Sequence, residues 1–333
     1  PTRSPMPHDV ITFGEAMIRL SPPNFRRLEQ ATSLDLNVGG AELNTAAGLA
    51  KLGRSVAWVS RLTDNALGRL VANRAREAGV STEHVAFTPE DRVGVYYVEF
   101  GAAPRASGVL YDRKDSAIAN VRPGMFDWGS IFRGAKWFHV TGITPALSPA
   151  AAETTREALQ AARKAGASIS IDLNYRAKLW SQAEAGRWMS EFMQTCDVLI
   201  TTEEDVHRVF GIKGTNFEEV AKQLAEKFPL KVVAITLREN PLVWRNSWTA
   251  IAYQDGKVFK TRSYEVEIVD RLGAGDSFAA GLIHGLLDGD LQKGLDYGVA
   301  ISAVKHSIPG DFVWITPEEV ETVVKGGTLR ISR

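Results

Sequence analysis

The segment richest in chemistry lies near the C-terminal end of the chain: Asp270-Arg271-Leu272-Gly273-Ala274-Gly275-Asp276-Ser277-Phe278-Ala279-Ala280-Gly281. Small residues stand where a loop turns into a helix, so the backbone amides of residues 273 to 276 can converge on one point. Exposed N–H groups at a helix N-terminus attract anions, a transferring phosphoryl group among them. Asp276, at the start of that helix, would lie beside the anion and could take a proton from an attacking hydroxyl. Phosphoryl transfer asks for little beyond positioning, charge stabilisation and a proton acceptor. Taken alone, the same residues read more simply as a tight turn before a helix with an acid in its first turn. The glycines also approach a dinucleotide-binding fingerprint, but Phe278 stands where the third glycine is needed. No Walker A lysine motif, HExxH or GxSxG occurs, which argues against those NTPase, metalloprotease and hydrolase classes.

A distant segment changes the reading. Gly39-Gly40-Ala41-Glu42-Leu43-Asn44 resembles the N-terminal glycine signature of the PfkB family of carbohydrate kinases, and the segment from Asp270 to Gly281 resembles its C-terminal signature. Their order and separation match, and the resemblance runs from about Val10 to about Val324. It implies a ribokinase-like fold, a doubly wound α/β domain with a small β lid. It also implies ATP as phosphate donor, Mg²⁺ and, as an open option, a monovalent cation. Carried over residue by residue, it implies Gly40, Ala41 and Asn44 in the sugar site, Gly273, Ala274 and Gly275 as an anion hole, and Asp276 as the base. Glycine at 40 admits a hydroxyl-rich ligand close to the backbone, and Asn44 can both donate and accept hydrogen bonds.

Further segments are similar to those of 2-keto-3-deoxygluconate kinases within that family. Tyr111-Asp112-Arg113-Lys114 resembles their Tyr-x-Arg-Lys, which reaches the substrate carboxylate. A guanidinium suits that task because its planar fork holds a carboxylate with two hydrogen bonds. Tyr96 resembles a second tyrosine touching the sugar acid. Asp172-Leu173-Asn174-Tyr175-Arg176 resembles the family's Asp-x-Asn-x-Arg at the end of a strand, where parallel sheets place ligands. There the resemblance implies Arg176 on phosphate or acid, Asn174 near the nucleotide and Asp172 as a structural residue. Gly310-Asp311 resembles a segment whose aspartate binds a substrate hydroxyl, and Thr236, Gly273 and Gly275 join Asn174 and Arg176 on the ATP side. The tyrosines read also as ordinary lid aromatics, and Arg113 with Lys114 as an exposed charged pair. Two stretches depart from the family pattern. Thr202-Glu203-Glu204-Asp205 replaces Asn-x-x-Glu, leaving Asp205 a water-mediated role at magnesium, and Thr236-Leu237-Arg238-Glu239-Asn240 replaces a glycine-containing nucleotide loop. Trp244 and Trp248 follow it and suit packing beside a nucleotide or in a surface loop. The implied reaction is ATP with 2-keto-3-deoxy-D-gluconate giving ADP and the 6-phosphate, which would feed an aldolase of an Entner–Doudoroff-type route. A kinase for a neutral sugar such as fructose or ribose, a non-catalytic sugar or nucleotide sensor, and a dehydrogenase are the alternatives.

These groups need strands that end at them and helices that begin there. Val10 to Phe13 reads as an opening strand, Asn44 to Lys51 as a helix closed by Gly53, and Val56 to Ser60 as a strand. Ala66 to Ala78 reads as an amphipathic helix with Leu67, Leu70, Val71 and Ala75 on one face. Trp137 to Val140, Ile169 to Asp172, Asp197 to Ile200 and Val232 to Ile235 read as strands. Ser148-Pro149 marks a helix start, Thr215-x-x-Glu218 a capping box, and the stretches 274–287 and 291–306 two long helices. Strands alternating with helices imply a largely parallel sheet covered on both faces. Arg19 to Val38, with Leu34, Leu36 and Val38 on one side, and Val93 to Arg113 break this rhythm. Their four strand-like pieces suit antiparallel pairing in a small separate sheet, a lid inserted at about 15–38 and 93–115 in a single kinase domain of residues 10–325.

Composition bounds the rest. The 333 residues are 44% hydrophobic and 23% charged, with 39 basic and 39 acidic side chains, so no global field favours nucleic acid or an anionic membrane. Cys196 is the single cysteine, so no internal disulfide can form, and it reads as a buried structural thiol. No apolar stretch reaches bilayer length, and Pro1 to Asp9 lacks the apolar core of a secretory signal, so a cytoplasmic location is expected. His139, His207, His284 and His306 lack metal-ligand spacing. Open lid edges make a homo-oligomer the expected assembly.

Overall fold

β1 (Val10–Phe13) is apolar and wholly buried, as suits a strand in the middle of a sheet covered on both faces. A computed structural model, which describes residues 7–242 and 245–327, continues with β2 (Met17–Ser21), β3 (Asp35–Gly39), α1 (Ala41–Lys51), β4 (Val56–Thr63), α2 (Ala66–Glu77) and β5 (Val85–Thr88). Then come β6 (Val95–Glu99), β7 (Gly108–Asp112), α3 (Trp128–Ile131), β8 (Trp137–Thr141), α4 (Ile143–Ala146), α5 (Pro149–Lys164) and β9 (Ser168–Asp172). The remainder is α6 (Gln182–Phe192), β10 (Val198–Thr201), α7 (Glu203–Phe210), α8 (Phe217–Lys227), β11 (Val232–Leu242), β12 (Arg245–Gln254), β13 (Lys257–Lys260), β14 (Tyr264–Glu267), α9 (Ala274–Leu287), α10 (Leu291–Lys305) and α11 (Pro317–Val324).

The large sheet has the order β13-β12-β11-β10-β9-β8-β1-β4-β5, with β14 beside β12. It is parallel from β5 to β11. Beyond β11 it is antiparallel. Apolar residues of α1, α2, α9 and α10 cover one face. Those of α3, α5, α6 and α8 cover the other. From β1 the chain moves outward through β4 and β5 and then returns to place β8 on the opposite side of β1. That reversal opens a crevice at the carboxyl ends of β1 and β8, the usual ligand position in open α/β sheets.

The small sheet has the order β3-β2-β6-β7. The short connections β2–β3 and β6–β7 give antiparallel pairs, as expected. The central pair β2·β6 is parallel instead. Between β3 and β6 the chain makes α1, β4, α2 and β5, a crossover long enough to bring β6 in along the direction of β2. Met17, Tyr96 and Val98 are buried on its inner face.

Other local expectations shift. Helix α8 is capped by Asn216, which accepts from the Glu219 amide at 2.9 Å, while Thr215 binds the Glu219 carboxylate. The capping pair therefore lies one residue beyond Thr215 and Glu218. On α2 the buried stripe is Gly68, Val71, Ala72 and Ala75, at helical spacing, and Leu67 is exposed. Leu34 and Leu36 are also exposed, whereas Val38 is buried. The run at Val232 extends into a long hairpin with β12. Trp248 is buried there with its ring 5.3 Å from that of His306, so it belongs to the core; Trp244 lies outside the described residues. Cys196 is buried with its thiol on the Val198 carbonyl, and burial raises its pKa. Among the described residues no helix is long and apolar enough to cross a membrane.

Candidate active site

The crevice lies beneath the small sheet. Glu15 lines it from the β1–β2 connection, Met17 from the start of β2, Gly39, Gly40, Ala41, Glu42 and Asn44 from the end of β3 and the start of α1, and Tyr96, Tyr111 and Arg113 from the lid. Asn174 and Arg176 enter after β9, Leu272, Gly273 and Asp276 at the start of α9, and Asp311 from the C-terminal loop. Gly40, Ala41, Asn44, Tyr96, Tyr111, Arg113, Asn174, Arg176, Gly273, Asp276 and Asp311, expected together from the sequence, thus share one cleft. Thr236 does not line it: it is buried in β11, opposite Ala250.

At the floor, Gly273 caps α9 with φ +82°, a conformation that suits glycine, and a side chain there would strike the Asp311 carbonyl. This turn leaves Asp276 in the first turn of α9. The Ala274 amide turns back onto the Arg271 carbonyl at 3.3 Å, so it is withdrawn from the expected anion hole. The amides of Gly275 and Asp276 remain as first-turn donors. Asn44 accepts from the Gly40 amide at 3.3 Å and donates to the Asp276 carboxylate at 2.7 Å. Burial pushes Asp276 up to about 6, against the lowering effects of the Asn44 hydrogen bond and the Arg176 charge. Gly40 lies so close to the Glu15 carbonyl that a Cβ would collide with it.

Beside Asp276 lies a group of like charges. Burial raises Asp172 to about 8, and the neighbouring Asp276 and Asp205 carboxylates add to the effect. Asp205 is raised by burial too, while Arg176 and the Tyr175 amide favour its ionised form. Asp172, read from sequence as structural, therefore belongs electrically to the site. Asn174 takes φ 37°, which asparagine tolerates, and so turns the chain from β9 to Arg176. Asp205 sits at the third position of α7, its amide bonded to the Thr202 hydroxyl at 3.2 Å. The described residues hold no cluster of three or more metal-ligating side chains. Crowded carboxylates of this kind fit magnesium held largely through water and phosphate oxygens rather than in an all-protein cage.

Across the cleft, the lid side brings Arg113. Tyr96 and Tyr111 stack with centroids 5.9 Å apart, and Tyr96 donates its hydroxyl proton to Asp311. Arg113 pairs with the buried Glu15, which also accepts from Ser116 at 2.6 Å. Its Nε is buried without a hydrogen-bond partner among the described residues. Beneath the lid, Arg19 pairs with Asp270 at 2.6 Å and Asp311 at 3.1 Å, all three buried. Glu15, Arg19, Asp270 and the buried Glu42 were not singled out from sequence. Gly14-Glu15 directly after the first strand was the available signal, since ligands gather at strand carboxyl ends.

Residues 7–311 match the description pfkB family carbohydrate kinase. The chain is 39% identical over 329 residues to 2-dehydro-3-deoxygalactonokinase of Haloferax volcanii, covering 98% of this chain and 100% of that protein. It is 30% identical over 306 residues to 5-dehydro-2-deoxygluconokinase of Shouchella clausii, covering 90% of each. The crystal structure of 2-dehydro-3-deoxygluconokinase from Thermotoga maritima superposes with a TM-score of 0.92 at 43% identity, over 95% of this chain and 99% of that one. A match of this length, on a fold with a cleft lined by both glycine segments, makes the chain a member of the pfkB family of carbohydrate kinases.

Proposed function

We propose that the protein transfers the γ-phosphoryl group of ATP to the terminal hydroxyl of 2-keto-3-deoxy-D-gluconate, also called 2-dehydro-3-deoxygluconate. The observation that carries the acid specificity is Arg113: a half-buried guanidinium at the cleft, partly neutralised by Glu15, with its buried Nε unpartnered among the described residues. A carboxylate is the group that satisfies it. Tyr111 and Tyr96 flank it on the lid. The acceptor hydroxyl then meets Asp276, which takes its proton as the substrate oxygen bonds to the γ-phosphorus. The bond from that phosphorus to the bridging oxygen breaks, and ADP leaves with the electron pair. The Gly275 and Asp276 amides and Arg176 face the charge on the transferred group. Asp205 and Asp172 are the residues that would hold magnesium, which would supply charge neutralisation on the phosphates. Such an ATP-consuming reaction belongs in the cytoplasm.

The C4 epimer, 2-keto-3-deoxygalactonate, is a second reading, favoured by the name of the Haloferax volcanii relative. Release of ADP from Mg-ATP with both epimers, 5-dehydro-2-deoxygluconate, fructose and ribose tests the proposal. Selective turnover of a 2-keto-3-deoxy acid is expected, and Arg113→Met should lower kcat/KM for it by roughly tenfold to a hundredfold, the worth of a charged hydrogen bond. Turnover confined to fructose or ribose would discard the carboxylate clamp.

We also infer a homo-oligomer built through the lid. Leu36, Leu20, Tyr97 and Leu110 lie in register across all four lid strands, on the face away from Tyr96. A second copy is the occupant that fits this self-complementary stripe.

A further inference from the structure

Lys305, the last residue of α10, is fully buried. Taking an ammonium out of water costs several kcal/mol, and an apolar side chain would fill the same space without that penalty. What the charge does there is legible in its partners. Its Nζ donates to the Ile308 carbonyl at 2.8 Å and to the Asp270 carbonyl at 3.3 Å. Nearly one helical turn earlier, the Ser302 hydroxyl donates to the Ala274 carbonyl at 2.7 Å. The two gripped carbonyls of this stretch, Asp270 and Ala274, bracket the turn that launches α9. The Asp270 side chain secures the same turn from within. It accepts from the Leu272 amide at 3.0 Å, the Gly310 amide at 2.9 Å and Arg19 at 2.6 Å. Asp270, Asp311 and Asp276 attract the ammonium and Arg19 repels it.

We propose that Lys305 is a positioning residue for phosphoryl transfer, its ammonium holding the backbone of residues 270 to 274 in the shape that aims Asp276 and the first-turn amides of α9 into the cleft. The proposal rests on the assignment of Asp276 to the proton-accepting role. Lys305 touches no substrate; it acts through the turn. Backbone carbonyls beside carboxylates are also a ligand set for a monovalent cation. With the ammonium in place, the turn carries its positive charge within the chain, and the enzyme should work without added potassium.

The test uses the full-length protein with Lys305→Met, which keeps length and loses charge, and Lys305→Ala. Hydrogen exchange of the peptide spanning residues 271–277 is followed without ligands, and kcat and KM are measured separately. Displacing a reacting group by about 1 Å costs about a hundredfold. The K305M variant should therefore lose roughly tenfold to a hundredfold in kcat, with both KM values nearly unchanged and exchange faster in the 271–277 peptide. Ammonium or methylammonium chloride should restore part of the loss in the K305A variant and slow its exchange. Wild-type kcat and exchange in K305M would overturn the proposal, as would a loss of kcat with exchange unchanged. Stimulation of the wild type by potassium would overturn the built-in charge. If neither variant folds, Ser302→Ala, which releases the Ala274 carbonyl, must show faster exchange and lower kcat; no change in either would overturn the proposal. Failure of the Asp276 assignment would look different: Asp276→Asn would stay active while K305M still loosened the turn.

Discussion

A carboxylate that is to accept a proton must be ionised when the substrate arrives, and Asp276 is held near the limit of that condition. Burial raises it to about 6, while Asn44 and Arg176 favour the charged form. The raised value means that the carboxylate takes up a proton as pH falls through about 6, so kcat/KM should decline below that point as the free enzyme loses its base. Asn44→Ala removes a donor to the ionised carboxylate and should move this acid limb to higher pH. Asp276→Asn keeps the shape and removes the base, and should cut kcat by about a hundredfold to ten-thousandfold. Initial rates measured across this acid limb in overlapping buffers check both effects. An acid limb that stays put in the N44A variant, or wild-type turnover in D276N, would remove Asp276 from the role of base.

The elements meet at Arg19. This one residue of β2 ties the lid to the turn before α9 through Asp270 and to the C-terminal loop through Asp311. Arg19→Met would leave those buried carboxylates without their shared cation, and breaking a buried pair from one side costs about 3–5 kcal/mol. Urea unfolding should show a loss of that size, and adding Asp311→Asn should recover part of it. A change below about 1 kcal/mol, the range of exposed pairs, would mean that the network contributes little. This network also marks the limit of what the sequence discloses. The alternation of strands and helices was legible because strands buried on both faces read as apolar runs, and the helix starts at Ser148 and Ala274 carry their own local chemistry. The Gly40 and Asp276 segments were legible for the same reason: a short motif contains its own turn. Arg19 and Asp270 stand 251 positions apart, and Lys305 grips a carbonyl 35 positions away, so nothing near either cation distinguishes it from a solvated one. The parallel β2·β6 pair was hidden likewise, because it depends on where four intervening elements deliver β6.

At the scale of the whole molecule, the outer face of the lid is only partly covered: Ile18 and Val38 join the main core there, with Leu20 and Val95 packed against it. Met17, Tyr96 and Val98 cluster on the inner face, and towards the far end of the outer one Leu36 is 40% and Leu110 59% exposed. Leu20 lies opposite both Leu36 and Tyr97, and Tyr97 lies opposite Leu110, so the apolar groups form one line across the sheet. Two such lines brought together by a twofold axis would remove apolar surface from water at about 25 cal/mol per Å². The lid strands would then be sandwiched between their own cleft and a second lid. Sedimentation at micromolar concentration should find a dimer, and Leu110→Glu should yield a folded monomer, since Leu110 points away from the cleft that Tyr111 lines. Because Tyr96, Tyr111 and Arg113 ride on the lid while Asp276 rides on α9, loosening the lid should raise KM for the sugar acid more than KM for ATP. A wild-type monomer would dismiss the interface, and a monomeric L110E variant with unchanged KM values would confine the partner's role to covering apolar surface.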